Sequence, residues 1–193
     1  WTDLSTNGYV GTLINSPTFS SANGGSLIFN GTNNGVSTNA NMASVQSFTA
    51  TSWIKTTNSA GYNFVFSNGS YPSPIIRGWG LVLDGNNINF DHCYITTVIT
   101  YSYPSVYDGT WRQIGIYRDS SNSVGITING VVVTSGSYSS AFTNSTLSVG
   151  YRPGGYAGSY FGGNIGNMMV YDRGLTTDEL LQNYNATKTR FGL

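Results

Sequence analysis

Phe161-Gly162-Gly163-Asn164-Ile165-Gly166-Asn167-Met168-Met169-Val170-Tyr171, then Asp172-Arg173-Gly174-Leu175, then Thr176-Thr177-Asp178-Glu179-Leu180-Leu181-Gln182-Asn183-Tyr184, is the stretch that decides the reading of this chain. It reads as a long strand, a tight corner and one short helix. Thr176 is the N-cap, and Glu179 three residues on completes a capping box. Leu175 and Leu180 occupy the positions of a hydrophobic staple around that cap. Leu180, Leu181 and Tyr184 share a helical face that can lie on a sheet. Lys188 and Arg190 fall near the helix end, where cations suit the dipole. A closing helix is predicted over about 176–188.

Outward from that ending, the chain reads as strands and turns. Phe48 to Lys55 alternates cleanly between apolar and polar, as a half-buried strand does. Leu81-Val82-Leu83 leads through Asp84-Gly85 to Ile88 and Phe90, and Val124 to Ile128 leads through Asn129-Gly130 to Val131-Val132-Val133. Asp-Gly and Asn-Gly accept positive φ at both central positions of a type I′ turn, so both segments read as hairpins. Leu27 to Phe29, Tyr94 to Tyr101, Trp111 to Tyr117 and Leu147 to Val149 are also strand-like. Residues 1–25 are rich in Asn, Gly, Ser and Thr, and read as an extended lead-in docking on the body. About a dozen short strands with turns between them imply a sandwich or barrel. No repeat and no internal linker appears, so one domain over 1–193 is expected.

Composition bounds the function. Charged residues make up 8% of the 193 and the formal net charge is zero. Nucleic-acid binding needs a dense Lys/Arg surface to displace counterions, and this chain lacks one. No run of about 18 apolar residues is present, so no helix inserts in a membrane. Aromatics at 14% supply enough burial for a core, which argues against disorder. The lone cysteine, Cys93, permits no internal disulfide, so the chain either folds in a reducing cytoplasm or is large enough to do without one. Trp1 stands where an initiator Met would, and no signal peptide is visible, so the chain reads as a processed product or part of something longer.

Several segments, in this order and spacing, resemble the laminin-G-like, concanavalin A-like jelly-roll domains of bacteria and phages. They are Trp1-Thr2-Asp3-Leu4-Ser5, Gly24 to Asn33, Phe48 to Lys55, Asp108-Gly109-Thr110-Trp111, Ile128-Asn129-Gly130, and the ending from Gly162 to Tyr184. The tail Asn183 to Leu193 is similar to the C-termini of phage virion proteins carrying such a domain. The resemblance implies an all-β fold, a two-sheet antiparallel jelly-roll sandwich with one short C-terminal helix. It also implies a non-enzymatic virion surface protein, as capsid decoration, tail or fibre component, with an adhesive or glycan-binding role. Its partners would be other virion proteins or copies of itself, and host cell-surface glycan. It would sit on the virion surface after assembly in the host cytoplasm. A bacterial carbohydrate-binding module of a larger surface or secreted protein is the alternative, and a polysaccharide-active enzyme the third reading.

Catalysis is argued against by the acids. Glycoside hydrolases of this resemblance place carboxylates along one strand, and retaining hydrolysis needs two of them about 5–5.5 Å apart. Glu179 is the only glutamate and sits in the helix cap, and no strand carries Asp-x-Asp or Asp-x-Glu. Asp91 and Cys93 should share one face of a strand and His92 the other, so neighbouring Cys and His form no dyad. Relatives of the laminin-G kind bind calcium at a loop rim. Asp84, Asp91 and Asp108 lie near strand ends and are the weak candidates for such an ion; no other cofactor is expected.

Glycan recognition is the positive idea. Sugars offer apolar C–H faces and rings of hydroxyls, which suit aromatic platforms with amides and Arg nearby. Tyr101, Tyr103 and Tyr107 form one such segment; Tyr151, Arg152, Tyr156 and Tyr160 form another. Tyr62, Tyr71 and Trp79 make a poorer third group. The same tyrosines can equally pack against the sandwich or a neighbouring subunit. Trp53 and Trp111, in alternating strands, are assigned to the core.

Overall fold

The computed structural model describes residues 2–42, 45–69, 77–93, 95–143, 145–154 and 159–193. Strands run β1 (Gly11–Ile14), β2 (Thr18–Ser20), β3 (Ser26–Asn30), β4 (Gly35–Asn41), β5 (Phe48–Lys55), β6 (Asn63–Ser67), β7 (Trp79–Asp84), β8 (Asn87–His92), β9 (Thr96–Ser102), β10 (Arg112–Arg118), β11 (Ser123–Ile128), β12 (Val131–Ser137), β13 (Thr146–Val149) and β14 (Gly162–Tyr171), before the helix α1 (Thr177–Thr187). Among the described residues these strands pair antiparallel into two 7-stranded sheets. Sheet I has the order β1-β4-β13-β6-β7-β8-β9; sheet II has β12-β11-β10-β5-β14-β3-β2. This is the two-sheet jelly-roll sandwich that the resemblance implies.

Alternation explains the layering. In β5, Phe48, Ala50 and Ile54 join the main core between the sheets, whereas Trp53 belongs to a separate cluster. Phe48 stacks on Trp79 of β7 across the sandwich, with centroids 4.1 Å apart. Trp79 is fully buried, so it is a core residue and not the surface platform anticipated for it. β6 departs from alternation. Its register shifts between Phe64 and Phe66, so Val65 and Phe66 both enter the core while Phe64 turns outward to Val82 and Cys93.

The closing helix forms as its sequence requires. The Thr176 side chain accepts from the Glu179 backbone N–H, and the Glu179 carboxylate accepts from the Thr176 N–H at 2.9 Å. Leu175 and Leu180 are buried, but Leu181 is 44% exposed, so the docking face is narrower than predicted. The helix and the turn after it cover the outer face of sheet II. Phe191 stacks on Trp53 at 4.3 Å, and the Trp53 indole N–H donates to Thr187 Oγ1 at 2.9 Å. Trp53 and Trp111 are therefore buried beneath the C-terminal segment, outside the inter-sheet core. Arg190 donates to the backbone carbonyls of Asn23 and Gly24 and so ties the tail to the lead-in.

Two local expectations change. The lead-in is more than a docked ribbon, because β1 and β2 each add an edge strand to a different sheet. The first hairpin turns on Gly85-Asn86, since Asp84 pairs with Asn87, and only Gly85 has positive φ there. The second turns on Asn129-Gly130 with φ of 51° and 78°, as type I′ demands.

Candidate functional site

The tyrosine segments are half-buried rather than free platforms. Tyr101 lies on β9 and stacks on Tyr103 at 6.2 Å, and both, with Tyr107, pack against the core. Tyr103 Oη accepts from Arg112 Nε at 2.9 Å. Burial pushes the Tyr107 hydroxyl up to about 12. Tyr151 and Tyr160 bridge as short extended pieces and stack face to face at 6.0 Å and 7°. The Arg152 guanidinium lies 4.6 Å from the Phe64 ring centroid. The structure thus pairs Tyr101 with Tyr103 and Tyr151 with Tyr160. Tyr71 and Tyr156 lie outside the described residues. Tyr62 is 54% exposed and follows Gly61.

The three aspartates are dispersed. Asp84 closes β7 in the hairpin. Asp91, on the outer face of sheet I, accepts from Thr97 Oγ1 at 2.9 Å, and burial raises its carboxyl to about 6. Asp108 takes two bonds from Arg112, at 2.6 and 2.5 Å, and others from Thr110, which hold it well below the usual carboxylate range. No group of three His, Cys, Asp or Glu able to hold a metal occurs among the described residues. Cys93 and His92 take opposite faces as alternation predicts. Cys93 is buried beside Phe64 and Val82, and burial pushes its thiol up to about 12. His92 turns to Tyr138 and Phe142; its Nδ1 lies 2.5 Å from Tyr138 Oη. Burial lowers its pKa, which favours the neutral ring. Glu179 is engaged by the cap and by Arg173, whose guanidinium first and cap bonds second lower its carboxyl to about 2.

A groove of about 610 Å³ opens where three neighbouring strands of sheet II begin or end. β3 ends at Asn30, β5 ends at Lys55 and β14 starts at Gly162, and register places Gly162 opposite Asn30 and Asn164 opposite Lys55. The 30–34 and 55–61 loops form the walls. Asn30 Oδ1 accepts from the backbone N–H groups of Thr32, Asn33 and Asn34 at 2.9, 3.1 and 3.2 Å, which holds the first loop. In the second, Asn58 Oδ1 accepts from the Ala60 N–H at 3.1 Å, and Asn58 Nδ2 donates to Asn63 Oδ1 at 3.1 Å. Gly162 makes this approach possible: a Cβ there would lie 2.4 Å from Asn58 Nδ2. The lining is amide, hydroxyl, backbone and one ammonium, with Phe29 and Ala60 as its apolar members and no carboxylate.

This groove was not anticipated from the sequence. In the sequence Lys55 closes one strand and Gly162 to Asn164 lie near the start of another, with nothing to bring them together. Their one legible signal is polar residues at a strand terminus, joined by glycine at Gly31 and at Gly162-Gly163.

Two antiparallel sheets packed as a jelly-roll sandwich and closed by one short helix are the architecture of the concanavalin A-like β domains. Residues 30–181 match the Laminin_G_3 family of the concanavalin A-like lectin/glucanases superfamily, and the chain belongs to that family. Among solved structures it is similar to the botulinum neurotoxin serotype G binding domain, at 17% identity and a TM-score of 0.75, covering 96% of this chain and 48% of that one. It is similar to the binding domain of Paraclostridial Mosquitocidal Protein 1, at 16% identity and a TM-score of 0.72, covering 96% and 49%. The receptor binding domain of botulinum neurotoxin D is a third, at 14% identity and a TM-score of 0.74, covering 96% and 49%. The chain spans about half the length of these structures, and at such identities the likeness is one of fold. No curated protein sequence is significantly similar to it.

Proposed function

We propose that this chain is a non-enzymatic recognition module that binds carbohydrate on a cell surface, carried on a phage particle. The observation that carries the binding reading is the strand-end groove. Its amides and hydroxyls are held by their own hydrogen bonds, so they meet a ligand with little ordering cost. Sugar hydroxyls both donate and accept, and Asn and Thr side chains do the same. The membership in a lectin/glucanase superfamily and the fold shared with toxin binding domains support recognition. The acid count supports it over hydrolysis, because the single Glu is committed to the helix cap. The phage setting rests on the resemblance of the tail Asn183 to Leu193.

A glycan microarray with the purified protein tests this. Binding to a defined set of glycans is expected, together with at least about a tenfold loss on Thr32→Trp, which fills the groove from an exposed position. The melting temperature of that variant should stay unchanged. Binding lost instead on Tyr103→Ala or Tyr160→Ala would move the site to the tyrosine pairs, and no binding to any glycan would sink the proposal.

A further inference from the structure

Lys55 ends β5 with the same alternation as the outward-facing Trp53. Residues paired directly across antiparallel strands project from the same face. Asn164 pairs with Lys55 on one side and with Ile28 on the other, so the three form one row across β5, β14 and β3. Ile28 is 40% exposed, and Lys55 is exposed, its side chain making no hydrogen bond or ion pair among the described residues. Other cations are engaged: Arg112 by Asp108, Arg173 by Glu179, and Arg190 by backbone carbonyls. With no acid in the groove lining, the Lys55 charge is uncompensated there.

We infer that the groove selects an acidic sugar, whose anionic group is held by the Lys55 ammonium and a ring hydroxyl by Asn164, while the apolar C–H face of the adjoining ring rests on Ile28, which lies beside Asn164 just outside the groove lining. This rests on the carbohydrate-binding reading above. Two strand spacings put Lys55 and Ile28 about 10 Å apart, the reach of roughly two linked rings. An ammonium is a point charge that accepts carboxylate or sulfate. The shared chemistry is an anion on a sugar ring, and the neutral amides beside it add hydroxyl contacts without repelling it.

The test uses matched oligosaccharides on the array: uronate- or sialate-bearing, sulfated, and neutral counterparts including carboxyl-reduced forms. Acidic members should bind at least about tenfold better than their neutral matches, with the two acidic arms identifying which anion is preferred. Lys55→Gln should remove that preference while leaving residual binding to neutral members, and Ile28→Ala should weaken both kinds alike. Binding that is equal for acidic and neutral members, or an acidic preference that survives Lys55→Gln, overturns the inference while the carbohydrate reading stands. Binding to no glycan overturns both.

Discussion

Asp91 shows how one side chain carries a cost that its neighbours only partly offset. Its carboxyl sits on the outer face of sheet I, where burial raises it to about 6 from 3.8, against the lowering effects of Thr97 and then Arg152. The native state therefore holds a proton between about pH 4 and pH 6 that the unfolded chain has released. The contribution of Asp91 to stability is highest below that window and declines as pH rises through 6. Asp91→Asn should raise stability at pH 7 by about 1–2 kcal/mol, less than the full shift because the carboxyl keeps some access to water. It should leave stability at pH 4 unchanged. Urea denaturation at both pH values checks this, and an equal effect at the two would refute the assignment. Trp79 and Trp53 teach a related lesson. Both lie in strands, yet one stacks between the sheets and the other beneath the helix turn, because the face each occupies depends on which layer covers it.

At the scale of the element, the ending was legible because its signals are local. The cap, the box and the staple all lie within six residues, Leu175 to Leu180, and they formed as read. Thr176→Ala should cost about 1 kcal/mol of stability, seen as a lower urea midpoint with an unchanged slope. The Asn129-Gly130 turn carries a second constraint that its dipeptide does not advertise. A Cβ on Gly130 would lie 2.8 Å from Tyr184 Cβ and 3.0 Å from Leu181 Cα, so the hairpin tip packs against the helix. Gly130→Ala meets both a φ of 78° and that contact, and should cost about 1–3 kcal/mol. Asn129→Gly keeps the turn and avoids that contact but removes the bond that Asn129 Oδ1 accepts from the Gln113 N–H at 3.1 Å, and should cost about 1–2 kcal/mol in the same denaturation experiment.

Over the whole molecule, the two sheets are completed by segments that carry weak patterns. β1, β2 and β4 are short or rich in small polar residues, and β6 is a buried run without alternation, so none of the four stood out as a strand. Deleting residues 2–21 would strip an edge strand from each sheet and leave β3 and β4 as new unpaired edges. The truncated protein should melt at lower temperature and aggregate at concentrations where the full chain stays monodisperse, as light scattering would record. Alternation, turn dipeptides and the helix cap are properties of neighbours in the chain, so the class of fold, the second hairpin and the closing helix were present in the residues themselves. The groove was not, because Asn30, Lys55 and Gly162 meet only through the pairing of β3, β5 and β14. Pairing register is settled by which apolar faces are buried together across the sandwich, a non-local balance that no single segment contains.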